Sequence, residues 1–299
     1  MLNLERLRTL DALARHGSVS GAADGLHVTT SAVSQQLAKL EREVGQRLLA
    51  KHGRGVRLTD AGRLLADHAA HILSQVELAQ ADIDAQRGQV VGEVRLGAFP
   101  TAARGLFPAV LTALRADHPE LRVRSCELEP EDGIRSVIRG DLDLAVVLDW
   151  SNKRRPVPGG LAHTHLLDDE ADVAMPAGHP LADRAEVDLE EFADDDWVSW
   201  PEGEFCHEWL LFTLRSRGLE PRIAHQAAEH HTQLALIAAG LGVAVAPRLG
   251  RGPVPEGVAL VPVRQLMRRH VYAVWRTDAG RRPSLRATVD ALRAAVRQP

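Results

Sequence analysis

In the stretch VTTSAVSQQLAKLEREVG, residues 28 to 45, the groups able to make directed hydrogen bonds gather on one side of a helix. At about 100° per residue, Ser31, Gln35, Lys39 and Arg42 fall opposite Val33, Leu37, Leu40 and Val44. Core packing accounts for the apolar set. The polar set is what a duplex-reading helix needs: short hydroxyls and an amide near the N-terminal end to reach base edges, and cations farther along for phosphates. An ordinary solvated face would satisfy the same wheel, so the neighbouring elements decide between the two.

Other polar groupings carry less chemistry. Asp168, Asp169 and Glu170, or the run Asp194, Asp195 and Asp196, could be set out as acid and base groups. Charge runs are usually solvated surface, however, and no nucleophile–base spacing, phosphate loop or zinc signature accompanies them. No enzyme is expected. His225, His230 and His231 stand five and one apart, which brings no pair onto one helical face, and neither a metal nor another cofactor is expected. The two cysteines, Cys126 and Cys206, are too few for a disulfide framework and read as reduced thiols, inert and buried. Thr101 follows Pro100 at a helix start, where free N–H groups and the dipole favour an anion; the plainer alternative is a helix cap.

The elements around the polar helix resolve its meaning. Leu4, Leu7, Leu10, Leu13 and Ala14 mark a first helix ending near Gly17, and Ser18 can cap a short second one, SVSGAADGL. Thr29 or Thr30 caps the third, which stops at Gly45. HGRGVRLT then reads as a small hairpin. A helix, a tight turn, a second helix and a basic hairpin make a winged helix-turn-helix. Charge agrees: residues 1–58 hold nine Lys/Arg against five acids, or +4, and since the whole chain is −4 the remainder totals −8. A basic head on an acidic body points to a polyanion, double-stranded DNA, met by the head alone. The opening MLNLERLRTL lacks the apolar core of a secretory signal, no membrane segment is evident, and a cytoplasmic protein is expected.

From Thr59 to Arg87 one long helix is expected, with Leu65, Ala69, Ile72, Val76, Ala79 and Ile83 spaced as a coiled-coil seam that pairs two copies of the chain, the alternative being packing on its own domain. Beyond RGQVVGEV the order strand (VRLGA), helix, strand (LRVRSCEL), helix, strand (DLDLAVVL) argues for a doubly wound α/β sheet. The second half repeats that grammar through DVAMPAGHPLA, RIAHQAA, TQLALIAAG and GVAVAP, and RRHVYAVW and SLRATVDALRAAV close the chain. Two such halves leave a cleft between them, where a ligand belongs.

The run from GSVSGAADGLHVTTSAVSQQLAKLEREVG through HGRGVRLTDAG resembles the signature of the LysR-type transcriptional regulators, and GDLDLAVV, AGHPLA and IAAGLGVAVAP follow in that family's order. The resemblance implies a bacterial sequence-specific regulator with an α/β fold: an N-terminal winged helix-turn-helix and long linker helix, then a two-lobed effector domain like that of periplasmic binding proteins. The divisions would be residues 1–58 for the head, 59–87 for the linker and dimerisation helix, and 88–299 for the effector domain, with lobe I at about 88–163 and 268–299 and lobe II at about 164–267. It places DNA contacts on Thr30, Ser31, Ser34 and Gln35, beside Lys39 and Arg42, with a wing contact on Arg54. It places effector contacts on Pro100, Thr101, Ala102, Asp149, Trp150, Ser199, Trp200, His230, His231, Ala246 and Pro247. It implies a homodimer or homotetramer, a small-molecule effector, and RNA polymerase as a further partner. Leu49 stands where the family usually has phenylalanine, and Gly25 lies inside the second helix.

Overall fold

The computed structural model describes residues 2–52, 55–85, 90–265 and 267–297. The chain divides into two compact units, residues 1–89 with 139–141 and the larger one of residues 90–138 with 142–299.

The first unit opens with α1 (Leu4–His16), capped by the Asn3 side chain and stopped by Gly17 at φ 68°. In α2 (Val19–Leu26) the Ser18 hydroxyl accepts from the Gly21 N–H, and in α3 (Thr30–Val44) Thr29, rather than Thr30, accepts from Ala32. Leu7, Leu10, Leu13, Ala22, Ala23, Val33, Leu37 and Leu40 meet in one core. Truncating a leucine there to alanine costs about 2–5 kcal/mol. The wing is the antiparallel pair β1 (Leu49–His52) and β2 (Gly55–Leu58). Glu41 ties it to α3 by accepting from the Leu48 and Leu49 N–H groups at 2.8 and 3.0 Å. Gly62 has to be glycine, because a Cβ there would sit 2.1 Å from the Leu48 carbonyl oxygen.

The long helix α4 spans Asp60–Ala85, and the expected last turn, Gln86 and Arg87, lies outside the described residues. Its seam is split. Leu65 and Ala69 pack on the core of α1 to α3, whereas Ile72, Val76 and Ile83 are 36%, 43% and 55% exposed.

The second unit begins with β3 (Gly92–Ala98), α5 (Pro100–Asp117), β4 (Leu121–Glu127), α6 (Pro130–Arg139) and β5 (Leu144–Trp150), the expected alternation, with β4, β3 and β5 parallel. It continues with β6 (Leu161–Pro176), β7 (Asp196–Ser199), α7 (Phe205–Arg215), β8 (Arg222–Gln226), α8 (His230–Ala238), β9 (Ala244–Pro247), β10 (Val258–Val261), β11 (Met267–Arg276) and α9 (Pro283–Ala295). The main sheet runs β10-β6-β11-β5-β3-β4, with β9 also on β6, and β7 and β8 form a separate parallel pair. It is mixed rather than wholly parallel: β11 lies antiparallel to β5 and β6, and β9 and β10 antiparallel to β6. The 16-residue β6 causes this, pairing with β11 through its first part and with β9 and β10 through its last. Sequence reading places that strand's start at Asp172, eleven residues late, because LAHTHLLDDE alternates poorly, and it omits the four-residue strands β7 and β10.

Candidate functional site

On α3, Thr30, Ser31, Ser34, Gln35, Lys39 and Arg42 are all exposed, opposite buried Val33, Leu37 and Leu40. Thr29 and Ser31 hydroxyls lie 2.9 Å apart, and Ser34 donates back to the Thr30 carbonyl at 2.9 Å. The Arg42 guanidinium bends to the Ala38 carbonyl at 3.3 Å, so Gln35 and Lys39 are the long polar groups facing outward from the middle of the helix. Arg54 lies outside the described residues.

In the second unit a cavity of about 30 Å³, room for roughly two waters, is lined by residues from both halves of the sequence. Phe99, Pro100 and Thr101 come from the start of α5, Leu148 from β5, Glu129 from the turn before α6, and Trp200, Cys206, Ala228, His230, Pro247 and Arg269 from later elements. Helix α5 has Phe99 at its N-cap position and proline next, so no side chain caps it, and Thr101 sits inside the first turn rather than capping it. The loop after β9 closes on that turn. Gly250, at φ +62°, approaches so closely that a Cβ would lie 2.0 Å from the Thr101 carbonyl oxygen.

Arg269 is 3% exposed, pairs with Asp169 at 2.6 Å, donates to the Thr101 hydroxyl at 2.8 Å and stands over the Phe99 ring. Its charge is therefore largely compensated. His230 is 4% exposed, and among the described residues neither of its ring nitrogens has a hydrogen-bond partner. Burial, then the cations Arg251, Arg104 and Arg269, push its pKa down to about 4, which holds the imidazole neutral. Glu129 moves the other way: burial, then the carboxylates of Glu204, Glu131 and Asp132, push it up to about 7. Burial pushes the Cys206 thiol up to about 12, whereas Cys126, expected to be buried as well, is exposed near the end of β4.

Pro100, Thr101, Trp200, His230 and Pro247 thus come together, and six other sequence candidates do not. Alternation along β5 puts Leu148 on the cavity and turns Asp149 away, where it accepts from Tyr272 and Arg154 at 3.4 and 3.3 Å. Trp150 is fully buried, stacked on Trp209 at 3.5 Å between centroids. Ser199 is held by His207 at 3.0 Å, and half-buried His231 by Glu229 at 3.0 Å. Ala102 and Ala246 are packed into the core. Arg269 and Glu129 escape sequence reading because neither belongs to a motif; of the two adjacent arginines in RRHVYAVW, nothing marks Arg269 as the one that turns inward.

Comparison with known proteins gives this arrangement a context. Residues 4–63 match the bacterial regulatory helix-turn-helix protein model of the lysR family, and residues 87–297 match the LysR substrate binding domain. The HTH-type transcriptional regulator YnfL of Escherichia coli K12 is 30% identical over 251 residues, 82% of each chain. The hydrogen peroxide-inducible genes activator of Escherichia coli O6:H1 is 28% identical over 301 residues, 99% of this chain and 96% of that one. In fold, full-length OxyR from Pseudomonas aeruginosa aligns at a TM-score of 0.79 and 23% identity, covering 100% of this chain and 95% of its own. Among the described residues no helix is long and apolar enough to cross a membrane. The chain belongs to the LysR family: it is a transcriptional regulator, not an enzyme, with a DNA-binding helix-turn-helix head and an effector-binding domain.

Proposed function

We propose that the signal read by this regulator is a small organic acid, its carboxylate at the first turn of α5 and its other end between His230 and Glu129. His230 carries the reading. A buried imidazole with both nitrogens unpartnered is uncommon in a finished core, and held neutral it offers one donor and one acceptor to a ligand. The uncapped first turn at Thr101 and Ala102 favours an anion, and Glu129 suits an amine or hydroxyl on the ligand. The contact set is therefore Pro100, Thr101, Trp200, His230 and Pro247, joined by Glu129 and Arg269. About 30 Å³ is too small for such a molecule, so binding selects an arrangement with the lining drawn apart. Because Trp200 lines the cavity, tryptophan emission is the readout. Titrating the protein with a panel of small hydroxy- and amino-carboxylates should give a saturable change that His230→Phe abolishes; a response surviving in the variant places the effector elsewhere.

On the head, Thr30, Ser31, Ser34 and Gln35 are assigned to bases, and Lys39, Arg42 and Arg54 to phosphates. The exposed stripe on α4 supports a homodimer through residues 59–87, with a tetramer formed through the body at 88–299. Acting on promoters, the protein works in the cytoplasm and meets RNA polymerase there.

Peroxide is the second reading, because Cys206 lines the same cavity and one relative is named for peroxide-inducible genes. A thiol pushed to about 12 holds almost no thiolate at neutral pH, which disfavours it. Exposed Cys126 should label with a maleimide in the native protein and Cys206 only after denaturation. Rapid native labelling of Cys206 would restore the peroxide reading.

A further inference from the structure

On the main sheet, well apart in sequence from the head motif, three metal-ligating side chains converge. His165 Nε2 lies 2.7 Å from Asp168 Oδ1, and His270 Nδ1 lies 2.7 Å from the same oxygen. The three ligand atoms fall within 4.8 Å of one another. We propose that His165, Asp168 and His270 bind a divalent transition-metal ion of the zinc type, with water completing its coordination.

The backbone arranges this grouping. Residues three apart on a regular strand face opposite sides of a sheet. Between Val271 and Tyr272 the β6–β11 register shifts, Val271 pairing with Leu167 and Tyr272 with His165, so Leu166 is the extra residue. That bulge turns His165 and Asp168 to one face, and His270, directly across from Asp168, joins them.

The hydrogen bonds supply a second argument. The Ser151 hydroxyl lies 3.0 Å from both the Arg268 carbonyl oxygen and His270 Nε2, and when its proton goes to the carbonyl it accepts from Nε2. In that tautomer of the neutral imidazole, Nδ1 presents its lone pair to a carboxylate oxygen. Two acceptors at 2.7 Å repel unless a proton or a cation lies between them. A ring whose distal N–H is fixed by a hydrogen bond while its other nitrogen points at a carboxylate is the orientation expected of a metal-bound histidine. Two imidazoles and one carboxylate suit zinc, cobalt, nickel or copper, and the hard ions calcium and magnesium poorly. His270 side chain is 14% exposed and set by Ser151, whereas His165 is 56% exposed and can rotate to close the shell. Asp169 and Arg269 are the next residues on the same strands, so an ion here would also hold the pair that reaches Thr101 at the cavity.

The test uses the full-length protein, stripped with EDTA and titrated with cobalt chloride, then with zinc chloride in competition. One equivalent per chain should give a visible cobalt absorption that zinc displaces. Asp168→Asn and His270→Ala should weaken binding at least about tenfold, and Ser151→Ala about tenfold, while His71→Ala, an exposed histidine elsewhere, should leave it unchanged. Zinc should also raise the thermal midpoint of the wild type and not of His270→Ala, with far-ultraviolet dichroism confirming that each variant is folded. No stoichiometric binding, or equal affinity in all variants, overturns the site and identifies the contact as a proton-held ion pair.

Discussion

His230 and Glu129 line one cavity and are shifted in opposite directions, so their effects on stability have opposite signs. For His230, lowered from 6.5 to about 4, the unfolded chain takes up a proton that the folded one refuses. Stability is therefore lost as pH falls from about 6.5 to 4, by about 3 kcal/mol at roughly 1.4 kcal/mol per unit. Glu129, raised from 4.5 to about 7, stabilises fully below 4.5, and its contribution is lost as pH rises through 7. Between pH 4.5 and 6.5 the two slopes oppose each other. Urea midpoints at pH 5 and pH 7 should expose this. His230→Gln should become relatively more stable at the lower pH and Glu129→Gln relatively less, each compared with wild type. If all three shift by the same amount, the two groups do not sense the cavity as described. Neither residue could be singled out from sequence on these grounds, because a shifted pKa comes from neighbours that only the fold brings near: Glu204 lies 75 positions from Glu129, and Arg269 lies 39 from His230.

At the scale of elements, local rules acted wherever one segment determines its own structure. The caps at Ser18 and Thr29, the glycine stops at Gly17 and Gly45, and the wing between Leu49 and Leu58 follow from residues within a few positions of each other. The length of β6 and the grouping of His165 with Asp168 depend instead on partners across the sheet and on one extra residue at Leu166. Alternation read from sequence has no way to place such a bulge. α4 joins both regimes: its periodicity marks a seam, yet only the folded head reveals that Leu65 and Ala69 are already used. The unpartnered part is Ile72, Val76, Ala79 and Ile83. Ile72→Asp with Val76→Asp places charges in that stripe without touching the head's core. Sedimentation should show a lower assembly state with unchanged helix content in the isolated chain. An unchanged sedimentation coefficient would mean that the stripe is not the contact between copies.

At the scale of the whole molecule, a regulator must let the ligand change what the head does while each part keeps its own core. The head core of Leu7, Leu10, Leu37 and Leu40 belongs to one unit, and the sheet carrying the cavity to another. Point changes at the two functional surfaces should therefore separate cleanly. Gln35→Ala removes an exposed amide from α3 and should lower discrimination at one base pair by about 1–3 kcal/mol, leaving the fluorescence response to a cavity ligand unchanged. Thr101→Val keeps the shape of the side chain but deletes the hydroxyl that Arg269 holds at 2.8 Å. Operator affinity without ligand should stay within about twofold, while the ligand response weakens at least about tenfold, since Arg269 without the Thr101 hydroxyl no longer fixes the first turn of α5 where the carboxylate is placed. The double variant should show both losses and no more, because sites sharing no partner add. Footprints of the four proteins, with and without the ligand found by the tryptophan-emission titration, would decide. If Thr101→Val alone shifts the unliganded footprint, the first turn of α5 takes part in the resting state of the switch as well as in sensing.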